Sequence, residues 1–128
     1  VFLGKLSTLL TVFGVVTAAV AYVVAPIGVP LAFGAAYGAG TPLFRILLVA
    51  FPLLCVNYGL TTQLIGWNGQ RAFAMIAGGA FTSNVALNLF LIPRMGAAGA
   101  AWSTVATEAL LSVCCVIALR SAPGRAPR

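Results

Sequence analysis

The chain of 128 residues contains no histidine and only one acidic side chain, Glu108. General acid–base catalysis draws mainly on His, Asp and Glu, so almost no catalytic pair is available and we expect no enzyme activity. The three cysteines, Cys55, Cys114 and Cys115, lie inside apolar runs and form no CxxC pair. Without a histidine they supply no metal-ligand set, and we expect packing roles for them and no cofactor.

Charge of either sign is scarce, since 6% of the residues are charged and 62% are hydrophobic. A typical soluble domain has ~25% charged residues, so this chain lacks the polar groups needed to cover a soluble surface. The net charge of +6 comes from Lys and Arg near the ends of apolar runs. A basic stripe with interleaved aromatic residues is missing, so we expect a lipid bilayer as partner and no nucleic acid.

Long apolar runs fill most of the sequence. An α-helix rises ~1.5 Å per residue, so ~20 apolar residues cross a ~30 Å hydrocarbon core. The sequence therefore predicts an all-α, polytopic transmembrane bundle of four spans. Their expected bounds are 6–25, 43–66, 72–92 and 97–119.

The connections follow from proline, glycine and polar residues. We expect the first helix to end before Pro26, because a residue before proline avoids the α region. The uncharged segment 26–42 is expected to be irregular, lying at the interface or entering the protein as a broken helix. Residues 93–96 predict a tight turn and an antiparallel hairpin of spans three and four. The polar segment 121–128 is expected to be a disordered cytoplasmic tail.

The distribution of basic residues predicts the orientation. Five of them lie on one side of the spans and two, Arg45 and Arg94, near the other. The positive-inside rule then places both ends of the chain in the cytoplasm. The chain opens at Val1 a few residues before its first span, and we expect a fragment whose N-terminal part is missing. The five basic residues on the first side are Lys5, Arg71, Arg120, Arg125 and Arg128.

Glu108 is the foremost candidate for a functional residue, because it lies near the middle of span four. A charge at the bilayer centre is costly, so we expect Glu108 to be protonated or paired and to face the bundle or a wet cavity. Glu108 could have a functional role, in proton coupling or substrate contact. It could instead have a structural role, in a hydrogen bond that holds neighbouring helices together.

Several other residues within the spans also allow two interpretations, one functional and one structural. Asn84 and Asn88 share a helix face and could line a polar cavity with Asn57 and Gln63, or form interhelical hydrogen bonds. Arg45 could approach a substrate phosphate from the outer face or extend to lipid headgroups. Pro52 should kink span two, either as a static packing feature or as a hinge.

Several segments together resemble the polysaccharide biosynthesis flippases, the O-antigen and exopolysaccharide exporters of the multidrug/oligosaccharidyl-lipid/polysaccharide transporter superfamily. The main match is NVALNLFLIPRMGAAG at 84–99, which continues as AAWSTVATE to Glu108. It is similar to the family pattern of an Asn-rich span, an Ile-Pro-basic-x-Gly turn and a Gly-Ala-Ala run leading to Ala-Thr and Glu.

Two further segments carry the resemblance. FGAAYGAGTPLFRIL at 33–47 resembles the family's Phe-Gly-x-x-Tyr segment before a span, and 57–70 resembles a span end with a glycine-bearing turn. The chain departs from the family at Ala35 and Ala36, where acids often stand, which weakens a role of this loop in binding cations or a charged partner. The resemblance covers roughly residues 30 to 120.

The resemblance implies a C-terminal fragment of a transporter with ~12–14 spans, of which these four would be roughly the ninth to twelfth. The full protein would export an undecaprenyl-diphosphate-linked oligosaccharide across the bacterial inner membrane by alternating access. Its partners would be the lipid-linked oligosaccharide and the missing N-terminal half of the same transporter. Arg45 is the one residue here that could add charge to the family's often cationic cavity.

Two other interpretations stay open. The chain could belong to an ion-coupled multidrug exporter of the same superfamily, with Glu108 as the coupling site. It could instead be a self-contained four-span membrane protein that works as an oligomer or as a structural subunit.

Overall fold

Long α-helices account for nearly all of residues 2–121, the part of the chain that the computed structural model describes, with side chains from residue 5 onward. All four helices are long and apolar enough to cross a membrane, which confirms the predicted membrane-spanning, all-α class. A short 3₁₀ helix, Ala35–Gly40, connects the first two. The helices are α1 (Phe2–Phe33), α2 (Thr41–Gly66), α3 (Gln70–Met95) and α4 (Ala97–Arg120). The predicted tail, apart from Ser121, lies outside the described residues.

The first helix is longer than predicted. We expected it to end before Pro26, but α1 continues through Pro26 and Pro30 to Phe33. The expected irregular connection from 26 to 42 is therefore wrong for its first part, and it shortens to Gly34 and the 3₁₀ helix. Gly34 ends α1 with φ 99°, a conformation that favours glycine.

Pro26 is accommodated because another helix replaces its missing donor. A proline has no N–H, so the carbonyl four residues earlier, that of Tyr22, loses its helical partner. The Arg45 Nε group on α2 donates a hydrogen bond to this Tyr22 carbonyl at 3.2 Å. Side chains of neighbouring helices commonly satisfy such freed carbonyls within membranes. This contact explains why the proline rule, applied to one helix alone, placed the helix end too early.

The connection between α3 and α4 is also tighter than predicted. We expected a turn over 93–96, but α3 includes Pro93 and runs to Met95, so Gly96 alone joins the two helices. Gly96 has φ 59° and its N–H bonds the Ile92 carbonyl at 2.8 Å. The predicted antiparallel hairpin is present, because the two helices pack along each other after this one-residue turn.

The helices form an open row rather than a closed bundle. Their order in space is α1, α2, α4 and α3, and α1 contacts neither α3 nor α4 within the described residues. The helices α2 and α4 run in the same direction, and α3 returns beside α4. In the most apolar 18-residue window of each helix, only 6–17% of the residues are buried. Most apolar side chains of the described helices are therefore not covered by the other helices of this row.

Small residues allow the closest helix contacts. A Cβ atom at Gly99 would collide with the Leu91 carbonyl oxygen and lie 2.6 Å from the Leu91 carbonyl carbon. A Cβ at Gly14 would lie 2.9 Å from the Cys55 Sγ and 3.1 Å from the Pro52 Cα. Backbone-to-backbone approach of this kind drives helix association in lipid, where the hydrophobic effect between helices is absent.

The substitution Gly99→Ala tests the α3–α4 contact. The added methyl group must push the two backbones apart, which should destabilise the hairpin by about 1–3 kcal/mol, the typical cost of overpacking. Thermal unfolding of the purified protein in detergent measures this loss.

Gly78→Ala is the matched control, because nothing lies within 4 Å of a Cβ atom at Gly78 and the change raises helix propensity. We expect this control to be neutral or slightly stabilising. Equal melting temperatures for the two variants would contradict the close approach at Gly99.

Candidate functional site

Polar side chains concentrate on α4 in two neighbouring stripes. Ser103 and Thr107 are four residues apart on one stripe, and Glu108 and Ser112 are four apart on the next. Residues four apart lie one above the other on a helix, so each stripe faces a single neighbour. The first stripe meets α3 and the second meets α2. The helix α4 thus lies at the centre of the polar contacts.

The Glu108 cluster joins α2 to α4 and consists of Asn57, Glu108 and Ser112. The Asn57 Nδ2 group donates to the Glu108 Oε2 atom at 2.7 Å and to the Glu108 backbone carbonyl at 2.9 Å. The Ser112 hydroxyl donates to the Asn57 Oδ1 atom at 2.7 Å. Asn57 is 4% exposed. All the hydrogen-bonding groups of this buried amide are engaged by α4, so Asn57 fixes the register of α2 on α4.

The carboxyl group of Glu108 is paired by an amide and not by a cation. No Lys or Arg of residues 5–121 forms an ion pair with it. Only its Oε2 atom accepts a hydrogen bond, and the Oε1 atom has no partner within the described part of the chain. No side-chain oxygen or nitrogen there is both buried and unpaired, so Oε1 lies at the surface of the helix row. Glu108 is therefore half-buried, with one oxygen held and the other open to a helix, a proton donor or a ligand.

The Asn84 cluster joins α3 to α4 and consists of Asn84, Asn88, Ser103 and Thr107. The Asn88 Nδ2 group donates to the Asn84 Oδ1 atom at 2.9 Å, and the Asn84 Nδ2 group donates to the Thr107 hydroxyl at 3.0 Å. The Ser103 hydroxyl, which is fully buried, donates to the Asn88 Oδ1 atom at 2.7 Å. The Thr107 hydroxyl donates to the Ser103 carbonyl at 2.7 Å. These bonds form a continuous chain along the hairpin.

The remaining candidates lie elsewhere in the row. The Gln63 Nε2 group donates to the Ser7 hydroxyl at 2.7 Å, between α2 and α1. Arg45 bonds α1 through the Tyr22 carbonyl. Pro52 lies inside a continuous α2, close to Gly14 of α1. Whether Pro52 acts as a hinge stays a prediction.

The structure brings Asn57 together with Glu108, a pairing that was not predicted, and Asn84 together with Asn88, which were predicted to share a helix face. The two pairs lie in separate interfaces. Gln63 belongs to a third interface, and Arg45 lies near the other end of α2. Sequence reasoning missed Ser103, Thr107 and Ser112. Their spacing was the available signal, because the polar residues of α4 recur every four residues on faces that meet α3 and α2.

Chemically, these clusters can hold helices together and present one carboxyl oxygen, and they contain no nucleophile with an adjacent base. Groups of three or more potential metal ligands are missing from residues 2–121. The fold and the clusters define an all-α protein whose four helices are long and apolar enough to cross a membrane and whose polar contacts centre on α4. Comparison with protein-family models, curated proteins and solved structures found no match to this chain.

The substitution Asn57→Leu tests the Glu108 cluster. It keeps a similar side-chain size but removes the partner of the Glu108 Oε2 atom, while the Ser112 hydroxyl keeps its bond to the Glu108 carbonyl at 2.9 Å. Unpaired groups of this kind cost about 1–3 kcal/mol when buried, so the protein should melt at a lower temperature in detergent.

Thr62→Val is the control, because Thr62 is exposed and bonds only the Tyr58 carbonyl of its own helix at 2.7 Å. It should leave the melting temperature nearly unchanged. If Asn57→Leu were as stable as Thr62→Val, the cluster would not fix α2 on α4.

Proposed function

We propose that this chain is part of a flippase that exports undecaprenyl-diphosphate-linked oligosaccharide for polysaccharide or O-antigen biosynthesis. The protein would lie in the bacterial inner membrane, with both ends of this chain in the cytoplasm. The proposal rests on the resemblance of segments 33–47, 57–70 and 84–108 to the polysaccharide flippases and on the geometry of the four helices. Transport would proceed by alternating access, in which two bundles rock around a central cavity.

The observation that carries the proposal is the open row of helices. In the order α1, α2, α4, α3, the two end helices do not meet, so both broad faces of the row remain uncovered within residues 2–121. A transporter cavity needs such a wall on one side and a second set of helices opposite. The row therefore fits one wall of a cavity better than it fits a finished four-helix bundle.

The polar clusters support the same interpretation. Interhelical hydrogen bonds join α2, α4 and α3 into one unit, which rigid-body rocking requires. The open Oε1 atom of Glu108 then provides a polar group at the surface of that unit. A polar group inside the membrane is costly unless it faces protein or water, so this surface is the better candidate for the cavity side.

One observation also favours a second function. The single membrane-embedded acid, with one oxygen free, is what a proton- or ion-coupled multidrug exporter of the same superfamily would use as its coupling site. A second copy of the chain that covers one of the two uncovered faces would instead give the self-contained four-span protein. These two alternatives are separated from the flippase by the experiments below.

Deletion of the gene tests the flippase directly. We expect loss of surface polysaccharide and accumulation of the undecaprenyl-diphosphate-linked oligosaccharide in the inner membrane, measured by immunoblotting and by mass spectrometry of extracted lipids. A plasmid copy should restore both. Increased drug sensitivity with unchanged surface polysaccharide would replace the flippase by the multidrug exporter. Unchanged polysaccharide and drug sensitivity, together with a purified homo-oligomer, would favour the self-contained four-span protein.

Glu108→Gln distinguishes the two roles of Glu108. The Gln Oε1 atom can still accept the hydrogen bond from Asn57, so a purely structural role predicts normal membrane abundance and normal transport. A proton-coupling or substrate-contacting role predicts normal abundance with transport largely lost, because a Gln amide cannot release or take up a proton and presents no carboxylate. Membrane abundance is measured by immunoblotting and transport by recovery of surface polysaccharide in the deletion strain.

A further inference from the structure

Arg45 lies in a cavity of about 370 Å³ at one end of the helix row. This Arg45 cavity lies between α1, α2 and α4. Arg45 is four residues from the start of α2, and Trp102 is five residues from the start of α4. Both are thus roughly 6–8 Å along the axis from the helix ends, the depth at which Arg and Trp meet lipid headgroups. The lining residues are Tyr22, Pro42, Arg45, Ile46, Val49 and Trp102.

The guanidinium group is held from two sides. Its Nε atom donates to the Tyr22 carbonyl that Pro26 leaves without a helical partner, at 3.2 Å. Its central carbon lies 4.5 Å from the centre of the Tyr22 ring, a cation–π distance. The two terminal amino groups, Nη1 and Nη2, have no hydrogen-bond partner among the described residues. A planar guanidinium fixed at Nε and stacked on a ring leaves those two donors oriented for a bidentate anion.

The described residues offer no anion to Arg45. Glu108 is the chain's only acidic side chain, and Glu108 is bonded to Asn57. Asn57 is twelve residues after Arg45 on α2, or ~18 Å along the helix axis. The counter-ion of Arg45 must therefore come from outside the described chain. At headgroup depth the abundant anion with paired oxygens is a lipid phosphate.

We propose that the Arg45 cavity binds the phosphate group of an anionic phospholipid. The terminal guanidinium donors bind two phosphate oxygens, and the apolar residues Ile46 and Val49 contact the acyl chain. The aromatic ring of Trp102, which lines the same cavity, suits the membrane interface. This lipid site does not depend on which substrate the protein exports, so it stands even if the flippase proposal fails.

The same chemistry fits free inorganic phosphate, and the membrane supplies the reason to prefer the lipid. The cavity opens beside apolar side chains, and Val49 is 48% exposed along the surface that continues from it. An inorganic anion would leave this apolar surface uncovered, whereas a phospholipid covers it with its chains.

The test uses Trp102 as a reporter. The chain has two tryptophans, and Trp67 lies at the α2–α3 turn, at the opposite end of α2. The Trp67→Phe protein is reconstituted in vesicles of fixed phosphatidylglycerol and phosphatidylcholine content. Bromine, which quenches tryptophan fluorescence, is carried on the acyl chains of one lipid or the other. Surface charge is then identical in the two vesicle types, and only the identity of the neighbouring lipid differs.

From the quenching of Trp102 fluorescence we expect a relative affinity about fivefold higher for brominated phosphatidylglycerol than for brominated phosphatidylcholine. This is the usual effect of one basic residue on the binding of an anionic lipid. Arg45→Gln should abolish this preference while the Gln amide can still bond the Tyr22 carbonyl. Arg94→Gln is the matched control, because Arg94 is exposed, lies near the same end of the row and is stacked 3.5 Å from the Phe90 ring centre. It should keep the preference.

Equal quenching by the two brominated lipids in the Trp67→Phe protein would overturn the proposal without any change at Arg45. A preference that survives Arg45→Gln, or that disappears equally in Arg94→Gln, would also overturn it. Millimolar inorganic phosphate at constant ionic strength should not reduce the preference. If it did, the anion bound would be free phosphate and the lipid site would be refuted.

Discussion

The absence of water inside a bilayer is the constraint on which this structure depends. Each backbone N–H and C=O group in hydrocarbon needs a partner from the protein, which permits helices and penalises any break in them. The chain meets this constraint at Pro26 by a contact from outside the helix. The Tyr22 carbonyl freed by the proline accepts a hydrogen bond from Arg45 Nε, so a residue that ends helices in water is carried inside α1. The same contact fixes the position of α1 on α2 and holds the guanidinium group.

Side chains obey the same constraint, and this explains why α4 is central. Its small residues allow α3 to approach at Gly99, and its polar residues then find partners on α3 and α2. Within residues 5–121 no polar side-chain atom is both buried and unpaired. Hydrogen bonds in membranes contribute only about 1 kcal/mol each, so their value lies in fixing which faces meet and in which register.

The sequence was sufficient to predict the all-α class and the four apolar helices, because the length and hydropathy of a segment do not depend on which helix it packs against. It was insufficient for the helix ends near Pro26 and Pro93, because the rule that proline ends a helix considers one helix alone. Near Pro26 a side chain of α2 allows α1 to continue, and near Pro93 the turn at Gly96 sets the end of α3. Asn84 and Asn88 could be paired from their spacing of four on one helix. The contact of Asn57 with Glu108 spans 51 positions and depends on the parallel register of α2 and α4, which no local pattern encodes.

Glu108 and Arg45 illustrate how ionisable side chains are placed in the row. Glu108 and Arg45 do not pair with each other, because Asn57, the partner of Glu108, lies ~18 Å along α2 from Arg45. Each group is partnered locally, the acid by an amide and the guanidinium group by a carbonyl and a ring. A direct buried ion pair would have required both charges to lose their hydration at one depth, a cost that attraction often fails to offset. Separation leaves each group with one unsatisfied side, the Glu108 Oε1 atom and the Arg45 amino groups. Nothing within the described residues occupies these two sites, so each remains available to a molecule outside this row.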